Sequence, residues 1–444
     1  MSTDDVRPTT DQPTPPQTAA PEPAPSAPTI TTPPHRGTPA IVTVEGHDET
    51  FARAFARGFH ETFRPEEFAL ESKLVEGGRM FGHQVDGRWV STCGDFARTM
   101  TTPGGQVDVA AVTVVTVAPG YRRRGLLREL MHHQLTQVRA TGTQPLALLW
   151  ASESLIYGRF GYGRTTAKLR LSGPTRATAF LPEVAPSGGS VDEVGREQFA
   201  AAAYPLREAW LPDRPGHLNR TEAWWDFYLF DAEHRRNGAE ELRYALHFAE
   251  DGTVDGWATF RTKYGDTVVP DGGDVIVTGI DAADPRVYAA LWRWLLDLDL
   301  MRGFRFGHAA TDEPLRQLVA DQRAIKTELQ DATYARIVDV PAALGARRYT
   351  SAVGMTVELT DTFLPDLAGR YRLELGPDGA EVTRTDAAAD LTLDVRHLGA
   401  IYLGGTALTD LHRAGLVGEH SPGAVLALSA AFASPRAPFC PDFF

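Results

Sequence analysis

Three consecutive arginines, Arg122, Arg123 and Arg124, followed at once by Gly125, stand between a β-branched run and a helix-like pattern. Residues 112–135 read VTVVTVAPGYRRRGLLRELMHHQL. The first six favour an extended strand, and Pro119 with Gly120 ends it. Beyond Gly125, the positions Leu126, Leu127, Leu130 and Met131 repeat with helical spacing. A helix begun there carries unpaired backbone N–H groups and a partial positive charge at its start, which suits a pyrophosphate. Gly125 lacks a Cβ, so its backbone can approach phosphates closely. The guanidinium groups add bidentate cationic partners. Any nucleotide-like anion would satisfy this arrangement, and so would water at the start of an ordinary surface helix.

Two further segments carry candidate chemistry. Residues 148–163, LLWASESLIYGRFGYG, run from a strand through Ala151, Ser152 and Glu153 into an aromatic-glycine segment holding Tyr157 and Tyr162. The ordinary reading of these tyrosines is ring packing with hydroxyls at the surface. The chain end, 434–444, reads SPRAPFCPDFF. Chain termini are usually frayed and polar, whereas burying Phe443 and Phe444 could contribute roughly 3 to 6 kcal/mol. A terminus docked in this way would bring an α-carboxylate inside the protein; the alternative is packed rings with the carboxylate turned to water.

These residues need elements to hold them. Phe51, Phe55, Phe59 and Phe63 recur every four residues, which places four rings along one helix face, directed at the core or at the edge of a pocket. Strand-like runs follow at 80–85, 89–96 and 107–117, then a helix at 126–139 and an apolar strand at 145–150. This order suggests a mixed α/β sheet wrapped by helices. A second α/β unit extends to about residue 338, with strands at 243–248, 256–261, 274–280 and 334–338 and an aromatic helix at 285–300. The connector 339–348 enters a third unit. Its strands are expected at 355–359, 370–375, 380–384 and 387–394, and its helices at 395–403, 408–413 and 422–433.

The bulk numbers bound the rest. A chain of 444 residues exceeds one compact core and implies two or three domains. The formal charge of −13 argues against a general nucleic-acid binder and fits cationic partners such as polyamines or amino sugars. With only Cys93 and Cys440, neither a disulfide framework nor a metal centre is expected. No apolar run approaches the ~20 residues of a membrane span, and Asp4 and Asp5 do not resemble a secretory leader; a cytoplasmic location is the default expectation. The first 38 residues are rich in proline and lack Phe, Trp and Tyr, so they are expected to be disordered or polyproline-like. No Walker-type G-x-x-x-x-G-K-[ST] loop occurs.

The segment 112–135 resembles motif A of the GNAT acetyltransferases, Arg/Gln-x-x-Gly-x-Gly/Ala. Arg122 and Gly125 match its first two fixed positions, while Leu127 departs from the small third one. With the tyrosine loop some thirty residues on and the aromatic terminus, the chain resembles the Eis family. The resemblance implies tandem GNAT-like α/β (α+β) domains with mixed sheets, at 39–175 and 176–338, and a sterol-carrier-protein-like α+β domain at 339–444. It implies acetyl-CoA as co-substrate, contacted by Val115, Thr116, Val117, Arg123, Arg124, Gly125, Leu126, Leu127, Arg128, Ser152 and Glu153. Tyr157 would be the proton donor to the departing thiolate, and the Phe444 carboxylate the proton acceptor. The substrates implied are aminoglycoside-like polyamines or lysine side chains, and the assembly a homo-oligomer, most often a hexamer. Glu61, Glu66, Glu67, Asp95 and Asp442 could hold polycationic amines, although each also reads as an ordinary surface residue. The competing readings are a lipid- or acyl-CoA-binding protein with a non-catalytic GNAT half, and a different acyl donor in the same fold.

Overall fold

The computed structural model describes residues 39–46 and 48–444; the proline-rich segment 1–38 lies outside the described residues. The first part of the chain supplies strands β1 (Ile41–Thr43), β2 (Met80–Val85), β3 (Arg88–Thr102), β4 (Gly105–Val117), β5 (Leu146–Trp150) and β6 (Gly163–Arg164), with helices α1 (Glu49–Gly58), α2 (Pro65–Glu71), α3 (Leu126–Thr141) and α4 (Ser154–Tyr157). Next come β7 (Ala167–Pro174), β8 (Ser190–Val194), β9 (Arg243–Phe248), β10 (Val254–Tyr264), β11 (Gly273–Ala282), β12 (Met301–Ala309), β13 (Lys326–Asp331) and β14 (Thr333–Ile337). Helices α5 (Arg196–Trp210), α6 (Glu222–Tyr228) and α7 (Pro285–Leu296) belong to this stretch. The last part adds β15 (Val353–Thr360), β16 (Gly369–Gly376), β17 (Gly379–Arg384), β18 (Leu391–Asp394) and β19 (Val417–Glu419), packed with short helices.

Three sheets result, ordered β1-β2-β3-β4-β5-β14-β6, β13-β7-β12-β11-β10-β9-β8 and β17-β16-β15-β18-β19. The first two repeat one plan: an antiparallel meander, then a strand–helix–strand crossover that sets two strands parallel, β4 with β5 and β11 with β12. Here the strand expected at 334–338 must be corrected. It does not belong to the second sheet: β14 inserts into the first, opposite β5 (Tyr334↔Leu149) and β6 (Tyr334↔Arg164). Conversely β7 leaves the first unit and pairs with β12 and β13 in the second. The segments 39–175 and 176–338 therefore each lend one strand to the other's sheet. All five residues of β14 are buried, so it fits any doubly covered central slot, and its local pattern carries no sign of which neighbours it takes.

The phenylalanine stripe also divides. Asp48 caps α1 by accepting from the backbone N–H groups of Thr50 (2.7 Å) and Phe51 (3.2 Å), as an N-cap carboxylate does. Phe51 is buried edge-on against Trp89. The helix ends at Gly58, so Phe59 only caps it and Phe63 lies beyond. Gly58 permits a close approach: a Cβ there would stand 2.5 Å from the Thr116 Cβ, and α1 packs directly on the outer end of β4.

In the third unit the connector 339–348 contains a helix, Val340–Gly345, capped by Asp339. The interior beyond it is organised around Arg347. This fully buried guanidinium donates to the carbonyls of Tyr402 and Phe432 and lies over the rings of Tyr349 (4.7 Å) and Phe432 (4.5 Å). Arg336 of β14 and Asp361 form a buried ion pair at 2.5 Å that ties the third unit to the first sheet.

Candidate active site

The site begins where β4 parts from β5. Their parallel pairing runs from Val109↔Leu146 to Val112↔Leu149 and then stops. Just beyond, Val114 adopts φ +49°, a conformation that a β-branched residue takes only under constraint. The pairing of β4 with β3 skips a residue at the same place, between Thr92 and Gly94. The Thr92 hydroxyl donates to the Val114 carbonyl at 2.6 Å and lies 2.7 Å from the Thr116 hydroxyl, pinning the bulge. Bulges re-aim a strand, and beyond this one Thr116 and Val117 pair with β3 on one edge only.

Helix α3 starts at the end of this opened strand. Gly125 precedes it with φ +87°, and no side chain caps the helix. Its first amides are thus free to meet an anion. A Cβ at this position would meet no protein atom within 4 Å, and the left-handed backbone itself favours glycine. Leu126, Leu130, Met131, Leu135 and Val138 bury the inner face of α3 and fix its direction.

A groove of about 660 Å³ runs along this junction, lined by Val115, Thr116, Val117, Arg123, Gly125, Leu126, Leu127, Arg128, Ser152 and Glu153. Of the residues expected at the cofactor, Arg124 stands outside it, its guanidinium 5.1 Å from the centre of the Tyr121 ring. Arg122 lines the groove and donates to the Val117 carbonyl at 3.3 Å.

A second cavity, of about 520 Å³, adjoins the groove at β4. Phe51, Phe55 and Phe59 form one wall, so the aromatic stripe serves core and pocket together. The two cavities share Phe59, Val115, Ser152 and Tyr157. Tyr157 is buried; its burial, helped by nearby Cys93, pushes the phenol well above its usual range, against the opposing hydrogen bond of Ser152. The hydroxyl therefore stays protonated throughout the ordinary pH range.

Phe444 lines the second cavity. Of the two terminal rings only Phe444 is buried; Phe443 is 62% exposed and leans on Trp150 at 5.6 Å, which corrects the expectation that both are covered. The tail is held mainly by its backbone. Phe439 N–H donates to the Pro215 carbonyl (2.9 Å), His308 Nε2 donates to the Cys440 carbonyl (2.9 Å), and Trp150 Nε1 donates to the Asp442 carbonyl (2.8 Å). The Asp442 side chain is fully buried and accepts from Arg220 Nε at 2.6 Å, with Arg207 at 3.7 Å. Burial alone would raise this carboxyl, but Arg220, Arg207 and Arg98 overcome that and hold it below the usual range.

The carboxylates expected to greet a cation separate on inspection. Asp442 is committed to Arg220, Asp95 is buried against Arg79, and Glu67 bonds both His234 and Arg235 at 2.6 Å. Glu66 sits exposed in the first turn of α2. Glu61 lines the second cavity. There it is joined by Glu71, which the sequence reading passed over; burial and the nearby Glu67 and Glu61 carboxylates raise Glu71 to about 7. The only sequence sign of it was its place at the end of a short acidic helix.

The opened parallel pair, the bulged strand and the uncapped helix define the acetyl-transfer fold class, and comparison with known proteins agrees. Residues 43–165 and 216–337 match two acetyltransferase (GNAT) domain models, and residues 340–441 match a sterol carrier protein domain. An uncharacterized N-acetyltransferase of Streptomyces coelicolor is 41% identical over 390 residues, spanning 85% of this chain and 92% of the relative. N-acetyltransferase Eis of Mycobacterium tuberculosis is 34% identical over 344 residues, spanning 76% of this chain and 81% of the relative. The crystal structure of Eis1 from Mycobacterium abscessus superposes with a TM-score of 0.78 at 32% identity, over 91% of this chain and all (100%) of that one. The chain belongs to the Eis-like family of GNAT N-acetyltransferases, with tandem GNAT domains and a C-terminal sterol-carrier-protein-like domain. It is an acetyltransferase enzyme. Among the described residues no helix is long and apolar enough to cross a membrane.

Proposed function

We propose that the enzyme transfers acetyl from acetyl-CoA directly to a primary amine, on small polyamines of the aminoglycoside type or on lysine side chains. The observation that carries this reading is the position of Tyr157 on the wall shared by both cavities, with the chain-terminal Phe444 in the acceptor cavity. The free amides at the start of α3, with Arg122 and Arg123, suit the pyrophosphate of the donor, and the one-sided strand at 115–117 suits its pantetheine arm. Amide hydrogens of that strand would polarise the thioester oxygen as charge develops on it.

An amine attacks only after losing its proton. The Phe444 carboxylate takes that proton, directly or through one water. The amine nitrogen then forms its bond to the carbonyl carbon as the C–S bond breaks, the Tyr157 hydroxyl passes its proton to the departing sulfur, and the second proton shed by the new amide nitrogen returns through water to the tyrosinate. Glu61 and Glu71 attract a cationic acceptor into the pocket. In the same reading the domains divide near 175 and 338 apart from the exchanged strands, the chain assembles with copies of itself, and it works in the cytoplasm.

The test is thiol release from acetyl-CoA against a panel of amines that includes aminoglycosides and a lysine peptide. Amine-dependent release is expected, and Tyr157→Phe should lower kcat by about 10² to 10⁴ with little change in KM. Absence of release with every amine would overturn the reading, and an undiminished kcat in the variant would remove Tyr157 from its role.

A further inference from the structure

The second sheet has an opened strand of its own. Pairing of β11 with β12 ends at Val277↔Phe306, and β11 continues to Ala282 paired with β10 on one edge only. Beside it, between α5, α6 and the chain end, lies a chamber of about 250 Å³ lined by Arg207, His217, Trp225, Trp257, Asp281 and Phe439, among others. Arg207 Nη1, Trp225 Nε1, Trp257 Nε1 and His217 Nδ1 are buried there and find no hydrogen-bond partner among the described residues. Their side chains are 2%, 2%, 6% and 8% exposed respectively. A guanidinium and two indoles can only donate, and buried donors in folded proteins are almost always paired. Arg207, Trp225 and Trp257 all line this one chamber, which suits an occupant rich in acceptors. Arg207 uses its Nη2 on the Leu218 carbonyl (3.4 Å) and Asp442 (3.7 Å), leaving Nη1 unpartnered, whereas Arg220 is committed to Asp442 at 2.6 Å and Arg261 to Asp231 at 2.5 Å.

The complementary charge faces them. Asp281 lines this chamber and an adjoining one of about 420 Å³, and the two share His217, Ile280, Phe306 and Phe439 as well. Its carboxylate accepts from the Ala282 N–H at 3.0 Å and forms no ion pair among the described residues. The donor of the first site does not fit here. The start of α7 is closed by Asp284, which accepts from the N–H groups of Arg286 (2.7 Å) and Val287 (3.1 Å), and Pro285 removes a further donor. A pyrophosphate would meet a carboxylate where α3 offers free amides.

We propose that this cleft binds a small zwitterion of the amino-acid class, its carboxylate on Arg207 and the indole N–H groups of Trp225 and Trp257 and its ammonium on Asp281. The site is distinct from the acetyl-transfer cavities and does not depend on their chemistry.

The test is calorimetric titration of the full chain with each of the twenty protein amino acids, using sodium acetate, sodium phosphate and methylamine as single-charge probes. At least one amino acid should bind one-to-one and at least about tenfold more tightly than any of the three probes. Trp257→Phe keeps the ring and removes the donor, and Asp281→Asn removes the charge. Each should weaken binding about tenfold or more, as expected for losing a hydrogen bond or ion pair to a charged group, while the unfolding midpoint stays near that of the parent. Silence with all twenty amino acids overturns the proposal. So does acetate or phosphate binding as tightly as the best of them, which would mean a plain oxyanion site, and so does unchanged binding in both variants.

Discussion

Arg220 and Asp442, the latter two residues before the end of the chain, form a buried ion pair at 2.6 Å, and through it the second unit holds the terminus of the third unit in the pocket of the first. Removing one partner of such a pair leaves an uncompensated buried charge. Arg220→Ala should cost about 3 to 5 kcal/mol of stability in denaturant unfolding. The pH dependence follows from the direction of the Asp442 shift. Its folded value lies below the unfolded one, so the stability it contributes is complete above the ordinary aspartate range and lost as pH falls through the folded value. Below about pH 4 the parent should lose stability more steeply than the variant.

The terminus itself can be displaced without touching the core. Adding two alanines after Phe444 moves the carboxylate out of its place while Asp442 and the backbone tethers remain. Turnover should fall by about 10² or more, the usual worth of a positioned base, with KM for acetyl-CoA nearly unchanged. Steady-state kinetics on both substrates would show it; a fully active extended enzyme would relieve the terminus of this role.

Glu71 should govern how the acceptor pocket responds to pH. It is raised to about 7, so it gains its charge as pH rises through neutrality. Between pH 6 and 8 the KM for a diamine should fall in the parent. In Glu71→Gln the KM should be higher at pH 8 and lack that component of the pH dependence. Parallel KM profiles in the two proteins would place the cation elsewhere.

Gly125→Ala tests the loop before α3. No atom obstructs a Cβ there, so the penalty comes from the left-handed backbone alone and should be about 1 to 2 kcal/mol. If the loop relaxes to avoid it, the first amides of α3 shift and KM for acetyl-CoA rises. The unfolding midpoint and KM together separate strain from displacement.

Much of the first site was legible in the sequence because its signals are local. A β-branched run, a Pro-Gly stop and an Arg-Arg-Arg-Gly start are contiguous, and the helix they announce begins at Leu126 as expected. The third unit was readable for the same reason, strand alternation and turn glycines marking most of its elements within a few residues, except the three-residue strand β19, which was not expected. What stayed hidden depends on partners far apart in the chain. Nothing near Val114 signals its positive φ, which arises because β4 must pair with β3 while leaving β5. Glu71 and Asp442 are both acidic letters, yet one meets other carboxylates beside the second cavity and the other is enclosed by arginines.

The sequence by itself determined the Pro-Gly stop after the β-branched run and the helix that starts at Leu126, since these are written in neighbouring residues whose backbone preferences act over one or two turns, and its resemblance to a known family gave the class of protein. Tertiary structure alone decided that β7 and β14 change places between sheets and that the two cavities meet at Tyr157. It also decided that only the last of the two terminal rings is enclosed. Each of these rests on burial shared among segments hundreds of residues apart, and side-chain polarity specifies that burial is required without specifying against what.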